Sequence, residues 1–127
     1  MKKMIMLIAA GAMAITVAAA APPAFASDTS VTKSGTCGRH PWSLVLAHDN
    51  GRIEADYKLS HVKVGRRWRV VMKDHGVRFF RGTRTAGADR YIEVDKFSQN
   101  RGGTDGITVR ATNLANGQLC TAAASIS

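Results

Sequence analysis

After its first 26 residues this 127-residue chain has no run of helical periodicity, no internal repeat and no low-complexity tail. Amphipathic helices bring apolar residues round about every 3.6 positions, so their absence argues against a helical domain and against insertion into membranes by such helices. Nucleophile-elbow glycines are missing from around Ser43, Ser60 and Ser98, and the two cysteines leave no thiol to spare if they are paired. Carboxylates are scarce, nine against 18 Lys and Arg. Glu54 with Asp56, and Glu93 with Asp95, stand two apart on outward strand faces, which suits cross-strand pairing with arginine better than proton sharing. The expectation is a chain that is not an enzyme, with no catalytic residues and no cofactor.

What is present begins with an address. Lys2 and Lys3 precede an apolar run from Met4 to Ala21, and Pro22-Pro23-Ala24-Phe25-Ala26 ends in the small-x-small pattern of a signal-peptidase site. Residues 1–26 therefore read as a secretory signal helix, with Ser27 starting the mature chain. The run is about long enough to span a bilayer, but its alanine-rich content and immediate cleavage site favour removal over anchoring. Cys37 is too far downstream for a lipid-modified N-terminus. A secreted, extracellular protein with no membrane span after cleavage is expected, and in that oxidising setting Cys37 and Cys120 read as a disulfide rather than a metal or redox pair. Closing a loop between positions 83 apart in sequence would stabilise the fold by about 4 kcal/mol in the chain-entropy account.

Cleavage leaves 101 residues, enough for one modest core. Loss of Lys2 and Lys3 lowers the formal charge from +9 to +7, still a field that draws polyanions without choosing among them. Residues 27–36 are small, polar and patternless, and read as a flexible arm. From Cys37 onward two-residue alternation dominates, as in Ile53, Ala55, Tyr57 and Leu59 against Arg52, Glu54, Asp56 and Lys58. Asn50-Gly51 is a strong tight-hairpin signal. Further strands are expected over Trp42–His48, Arg66–Lys73, Val77–Thr85 with a bulge near Phe79 and Phe80, Arg90–Ser98, and the two arms of a final hairpin between Thr104 and Ile126. One-sided polar faces indicate antiparallel sheets open to water on one side. The fold class is thus all-β, a seven-stranded antiparallel immunoglobulin-like or fibronectin-like β-sandwich over residues 37–127, with a small closed barrel as the alternative. Trp42, Trp68, Phe80, Phe97 and Ile107 are its expected filling.

The chain resembles small secreted actinobacterial proteins with an immunoglobulin-like or fibronectin type III-like sandwich. That resemblance is carried by Asn50-Gly51-Arg52-Ile53-Glu54, Gly65-Arg66-Arg67-Trp68-Arg69-Val70, Phe80-Arg81-Gly82-Thr83-Arg84-Thr85, Gly103-Thr104-Asp105 and Arg110-Ala111-Thr112-Asn113 running to Gly117 and Cys120. It implies a fold and an address but no activity or site residue. The cysteines depart from the immunoglobulin pattern, since a Cys37–Cys120 bridge would join the ends of the domain instead of pinning sheet to sheet.

The most suggestive residues are arginines. Arg66, Arg67 and Arg69 lie on one expected strand, and Arg78, Arg81 and Arg84 lie on its hairpin partner. If Arg67 and Arg69 share a face with Arg78 or Arg81, they form a basic strip able to bind phosphates or carboxylates through multi-donor side chains. Pairing with Glu54, Asp56, Glu93 and Asp95 would instead scatter the charge. No aromatic residue clearly interleaves with them, so specific nucleic-acid binding is not expected. His40, His48, His61 and His75 fall in or beside turns without ligand spacing. They read as solvated, with no metal site unless the Asp74-His75 and His48-Asp49 turns meet at one end of the sandwich. The expected function is that of a monomeric, non-catalytic binding module for an anionic cell-surface polymer or an extracellular protein. A basic antimicrobial effector and a secreted enzyme inhibitor presenting Ser98–Gly106 are the alternatives.

Overall fold

A computed structural model describes residues 29–127, and the expected signal helix lies outside them. Eight antiparallel strands run in order: β1 (Ser30–Cys37), β2 (His40–Asp49), β3 (Arg52–Ser60), β4 (Arg67–Asp74), β5 (Val77–Thr85), β6 (Tyr91–Gln99), β7 (Asp105–Asn113) and β8 (Leu119–Ile126). They form two four-stranded sheets, β1-β2-β3-β6 and β5-β4-β7-β8. No helix occurs among the described residues.

Alternation builds the core. Leu44, Leu46, Ile53, Ala55, Tyr57 and Leu59 from the first sheet meet Trp68, Val70, Met72, Ile107, Val109 and Ala111 from the second, all buried. Interleaved polar residues face outward, as period-two geometry requires. Asn50 (φ 49°) and Gly51 (φ 77°) close the β2–β3 hairpin, and His75 (φ 48°) with Gly76 (φ 78°) closes β4–β5. Both pairs have the positive φ that tight hairpins favour.

Two sequence expectations need correction. Among the described residues the strand count is eight, because Ser30–Cys37, read mostly as part of an arm, is β1, paired with β2 from Ser30 opposite Ala47 to Cys37 opposite His40. Composition hid this strand. The positions that alternate with half-buried Val31 include Gly35 and exposed Lys33, and the Gly35 backbone is covered by the Trp42 indole, which stands where a Cβ would come within 2.8 Å of Cζ2. The apolar surface that β1 needs is thus supplied by its neighbour. The second correction concerns the core filling. Trp68 and Ile107 are buried, and Trp42 and Phe80 are half-buried against the core. Phe97, however, is 41% exposed on the outer face, with the Arg52 guanidinium 4.1 Å from its ring centroid. Alternation from buried Ile92 and Val94 dictates that facing.

The Cys37–Cys120 disulfide is present, with Cα atoms 5.6 Å apart. It ties β1, at the edge of one sheet, to β8, at the edge of the other, so it closes one open side of the sandwich. On the other side, β5 and β6 approach across Phe80, whose ring is flanked by Arg84 and Lys96.

Candidate functional site

The outer face of the second sheet gathers the cations. Arg67, Arg69, Val71 and Lys73 are the outward positions of β4, opposite buried Trp68, Val70, Met72 and Asp74. On one side Val71 pairs with Arg81 of β5, and on the other with Arg110 of β7. Lys73 pairs with Arg78, and Arg69 with Thr112. Arg69, Val71, Lys73, Arg78, Arg81, Arg110 and Thr112 together line a shallow hollow of about 350 Å³, five cations around one valine and one threonine with no carboxylate among them.

A single backbone irregularity makes this possible. Arg78 and Arg81 are three residues apart, and in a regular strand an odd separation puts side chains on opposite faces. The β4–β5 register shifts between Met72 and Lys73, Met72 pairing with Phe80 and Lys73 with Arg78, so Phe79 is the extra residue of a bulge. The expected bulge is therefore found, and it turns Arg78 onto the face that carries Arg81. The same register takes Arg84 the other way: it pairs with buried Trp68 and lies with its guanidinium 5.2 Å from the Phe80 ring centroid.

Of the sequence-proposed set, Arg69, Arg78 and Arg81 thus surround one hollow, and Arg67 lies on the same face at the far end of β4. Arg66 is separate from it. It precedes β4 and lines a different cleft of about 410 Å³ with Lys63, Val64, Arg67 and Leu114 at the end of the sandwich. Lys73 and Arg110 were missed, although both stand at outward positions of strands whose facing was legible. Linking them to the strip required the order β5-β4-β7, which joins strands far apart in sequence. A third hollow of about 680 Å³ connects Lys73 and Arg110 to Lys33 and Trp42 of the first sheet, so basic surface and one half-buried indole continue round the β8 edge.

The carboxylates that might have neutralised these arginines are on the other sheet. Glu54 and Asp56 on β3 lie beside Glu93 and Asp95 on β6, with Asp56 directly opposite Asp95. Among the described residues the ion pairs are Arg52–Asp49, His75–Asp74 and His75–Asp105, and none involves the basic hollow. The outer surface of one sheet therefore gathers cations, while on the other the four carboxylates outnumber Arg52 and Lys58. Like charges opposite one another on neighbouring strands are unfavourable, and the protonation of the acidic group responds. Burial, with the Glu93 and Asp95 charges, raises the Asp56 carboxyl to about 6. A hydrogen bond and the charge of Asp95 raise Glu54.

A carboxyl raised in the folded state has the protonated form favoured by folding, so it carries no penalty below its unfolded value, 3.8 for Asp56, and a growing one as pH rises to about 6. Asp56→Asn should therefore stabilise the protein above pH 6.5 and leave it nearly unchanged at pH 4. Discounted for the partial exposure of the side chain, the gain should be about 1–2 kcal/mol, or roughly 5–10 °C in thermal midpoint. Melting curves at pH 4 and 7.5 measure it, and equal midpoints at pH 7.5 would contradict the repulsion.

The histidines do not converge. His40 packs edge-on against Trp68, with ring centroids 5.4 Å apart, and its Nδ1 lies 3.1 Å from the His61 carbonyl. His48 Nε2 is 2.9 Å from the Ser127 carbonyl. His75 alone lies beside two carboxylates. Comparison with family models, with curated proteins and with solved structures finds no match.

Proposed function

We propose that this protein is a secreted, non-catalytic binding module that adsorbs to anionic polymers of the cell envelope through the outer face of its β5-β4-β7 strands. The observation that carries the reading is the hollow lined by Arg69, Lys73, Arg78, Arg81 and Arg110, with no acidic residue among its lining and, among the described residues, no ion pair to any of these cations. Arginine forks present several donors to a phosphate or carboxylate. Fixed on adjacent strands, they lose less freedom on binding than cations on a mobile tail would. An intramolecular disulfide is compatible with export.

We further read the scaffold as related to immunoglobulin-like and fibronectin type III sandwiches. Set β1 aside, and the remaining seven strands run first-second-fifth in one sheet and fourth-third-sixth-seventh in the other. The immunoglobulin constant type differs in keeping its fourth strand beside the fifth. Here the fourth lies beside the third, which places Arg78 and Arg81 next to Arg69. The resemblance to secreted actinobacterial sandwiches agrees with this reading. Amphipathic helices, which would favour a membrane-active effector, are absent among the described residues.

A salt titration tests the binding role. Retained on immobilised polyphosphate or a teichoic-acid-type polymer, the mature protein should release counterions as its cations engage. The logarithm of affinity should then fall against the logarithm of salt with a slope of about −3 to −3.5, as about 0.7 per contact predicts for four or five contacts. No retention at about 20 mM salt, or a slope near zero, would remove the proposal.

A further inference from the structure

At the opposite end of β4 from Arg67, the chain holds two carboxylates and an imidazole in a group that the basic face does not use. Asp74 ends β4, His75 begins the turn into β5, and Asp105 is the first residue of β7. The β4–β7 pairing of Asp74 with Ile107, and a 3.0 Å hydrogen bond from the His75 amide to the Gly106 carbonyl, fix their relative positions. Both carboxylate side chains are 0% exposed, while the imidazole is 47% exposed. His75 Nε2 lies 3.7 Å from Asp74 Oδ1 and 3.7 Å from Asp105 Oδ1, and one donor atom from each of the three residues falls within 4.8 Å of the others.

The partners of these oxygens leave a deficit. Asp74 Oδ2 accepts a hydrogen bond of 2.9 Å from the Ser98 hydroxyl of the facing sheet, and Asp105 Oδ1 accepts a long one of 3.4 Å from the Arg101 amide. Asp74 Oδ1 and Asp105 Oδ2 are buried and have no hydrogen-bond partner among the described residues. No Lys or Arg pairs with either acid among the described residues. Two adjacent carboxylates cannot both stay ionised out of water without compensating positive charge. Protonated His75 could supply only one unit, from a position half open to solvent.

We propose that Asp74, Asp105 and His75 form a binding site for one divalent transition-metal ion, with zinc the first choice. The donor set selects the class: imidazole with carboxylates suits zinc and its neighbours, whereas calcium and magnesium take oxygen donors almost throughout. Distances agree. With bonds of about 2.0–2.2 Å in a tetrahedral arrangement, two ligand atoms on one zinc stand about 3.3–3.6 Å apart. The two 3.7 Å separations are wider than that by only a few tenths of an ångström, so a small swing of each carboxylate completes the set. Ser98 acts behind the ligands, holding Asp74 by its second oxygen and leaving Oδ1 for the metal, the usual arrangement around a ligating carboxylate. The exposed side of His75 leaves room for a water. Sequence reading missed the site because the donor that completes Asp74-His75 is Asp105, 31 positions beyond Asp74, and not the His48-Asp49 pair.

The test uses the full mature chain stripped with a chelator and titrated with zinc chloride at pH 7.5, followed by thermal midpoint and calorimetry. One ion per chain should bind, and the midpoint should climb with free zinc, because a ligand held only by the folded state stabilises it by mass action. Cobalt should give a visible absorption band that zinc abolishes. His75→Asn keeps a residue that tolerates the left-handed turn and removes the imidazole. It should fold and bind zinc at least about tenfold more weakly. Asp105→Asn should remove the cobalt band. An unmoved midpoint at about 1 mM zinc would overturn the site, as would zinc binding undiminished in His75→Asn or a calcium response as large as that to zinc. If Asp105→Asn raises the metal-free midpoint while the unaltered protein ignores zinc, a shared proton fills the place assigned to the metal, and the proposal fails.

Discussion

Replacing Cys37 and Cys120 together by alanine should lower folding stability by about 4 kcal/mol. The bridge spans 83 positions of sequence and so restricts almost the whole unfolded domain, and in the chain-entropy account a loop of that length is worth somewhat over 4 kcal/mol. Cys120 is also fully buried, and the alanine loses its sulfur contacts. Against a total of roughly 5–15 kcal/mol for a domain of this size, that is a large share. The thermal midpoint should fall by about 15–25 °C, and reduction of the unaltered protein should reproduce most of the drop. The local effect is equally specific. β1 contacts its own sheet only through β2, so without the bridge its pairing to Trp42 and Leu44 becomes the first to open, visible as fast amide exchange over residues 30–37. A loss below about 1 kcal/mol, with β1 still protected, would show that the core alone closes the β1–β8 side.

The second large effect concerns binding. Arg69→Glu with Arg110→Glu reverses two charges on neighbouring strands of the hollow. With each unit of charge near an anionic surface worth about 1 kcal/mol, the four-unit change should weaken retention on an anionic polymer by roughly 100- to 1000-fold at low salt. Both side chains are exposed, so the melting temperature should move by only a few degrees, which separates lost binding from lost folding. Arg52→Glu, on the other sheet, is the control: it changes net charge by the same amount per site but lies beside Phe97 and Asp49, and should have little effect. Equal losses from both surfaces would mean that net charge, rather than this face, drives adsorption.

Most of the fold was readable because antiparallel sheets with one wet face write themselves as alternation. Ile53-Ala55-Tyr57-Leu59 and Ile107-Val109-Ala111 announced both strand and facing, and Asn50-Gly51 announced the turn between β2 and β3. The bulge at Phe79 was visible as a break in that rhythm. β1 was not, because edge positions such as Lys33, Ser34 and Gly35 need bury little of their own and Trp42 does the covering. The basic face was half legible. Residues local to the β4–β5 hairpin could be grouped by spacing, but Arg110 joins them only through a pairing of β4 with β7 some 40 positions apart. Asp105 escaped for the same reason. Its neighbours Asp74 and His75 belong to the β4–β5 hairpin, about 30 positions earlier, and no local pattern marks a carboxylate that will be buried.

The placement of Glu54, Asp56, Glu93 and Asp95 on the sheet opposite the arginines gives the molecule a permanent electric polarity across its thin dimension. Near an anionic wall, that polarity exerts a torque that turns the arginine side downward before contact is made. A settled monolayer then shows the wall's own sign to the medium, which gives arriving copies an acidic floor for their basic sides. Coverage should accordingly continue past one layer at low ionic strength and stop at one when salt screens the second contact.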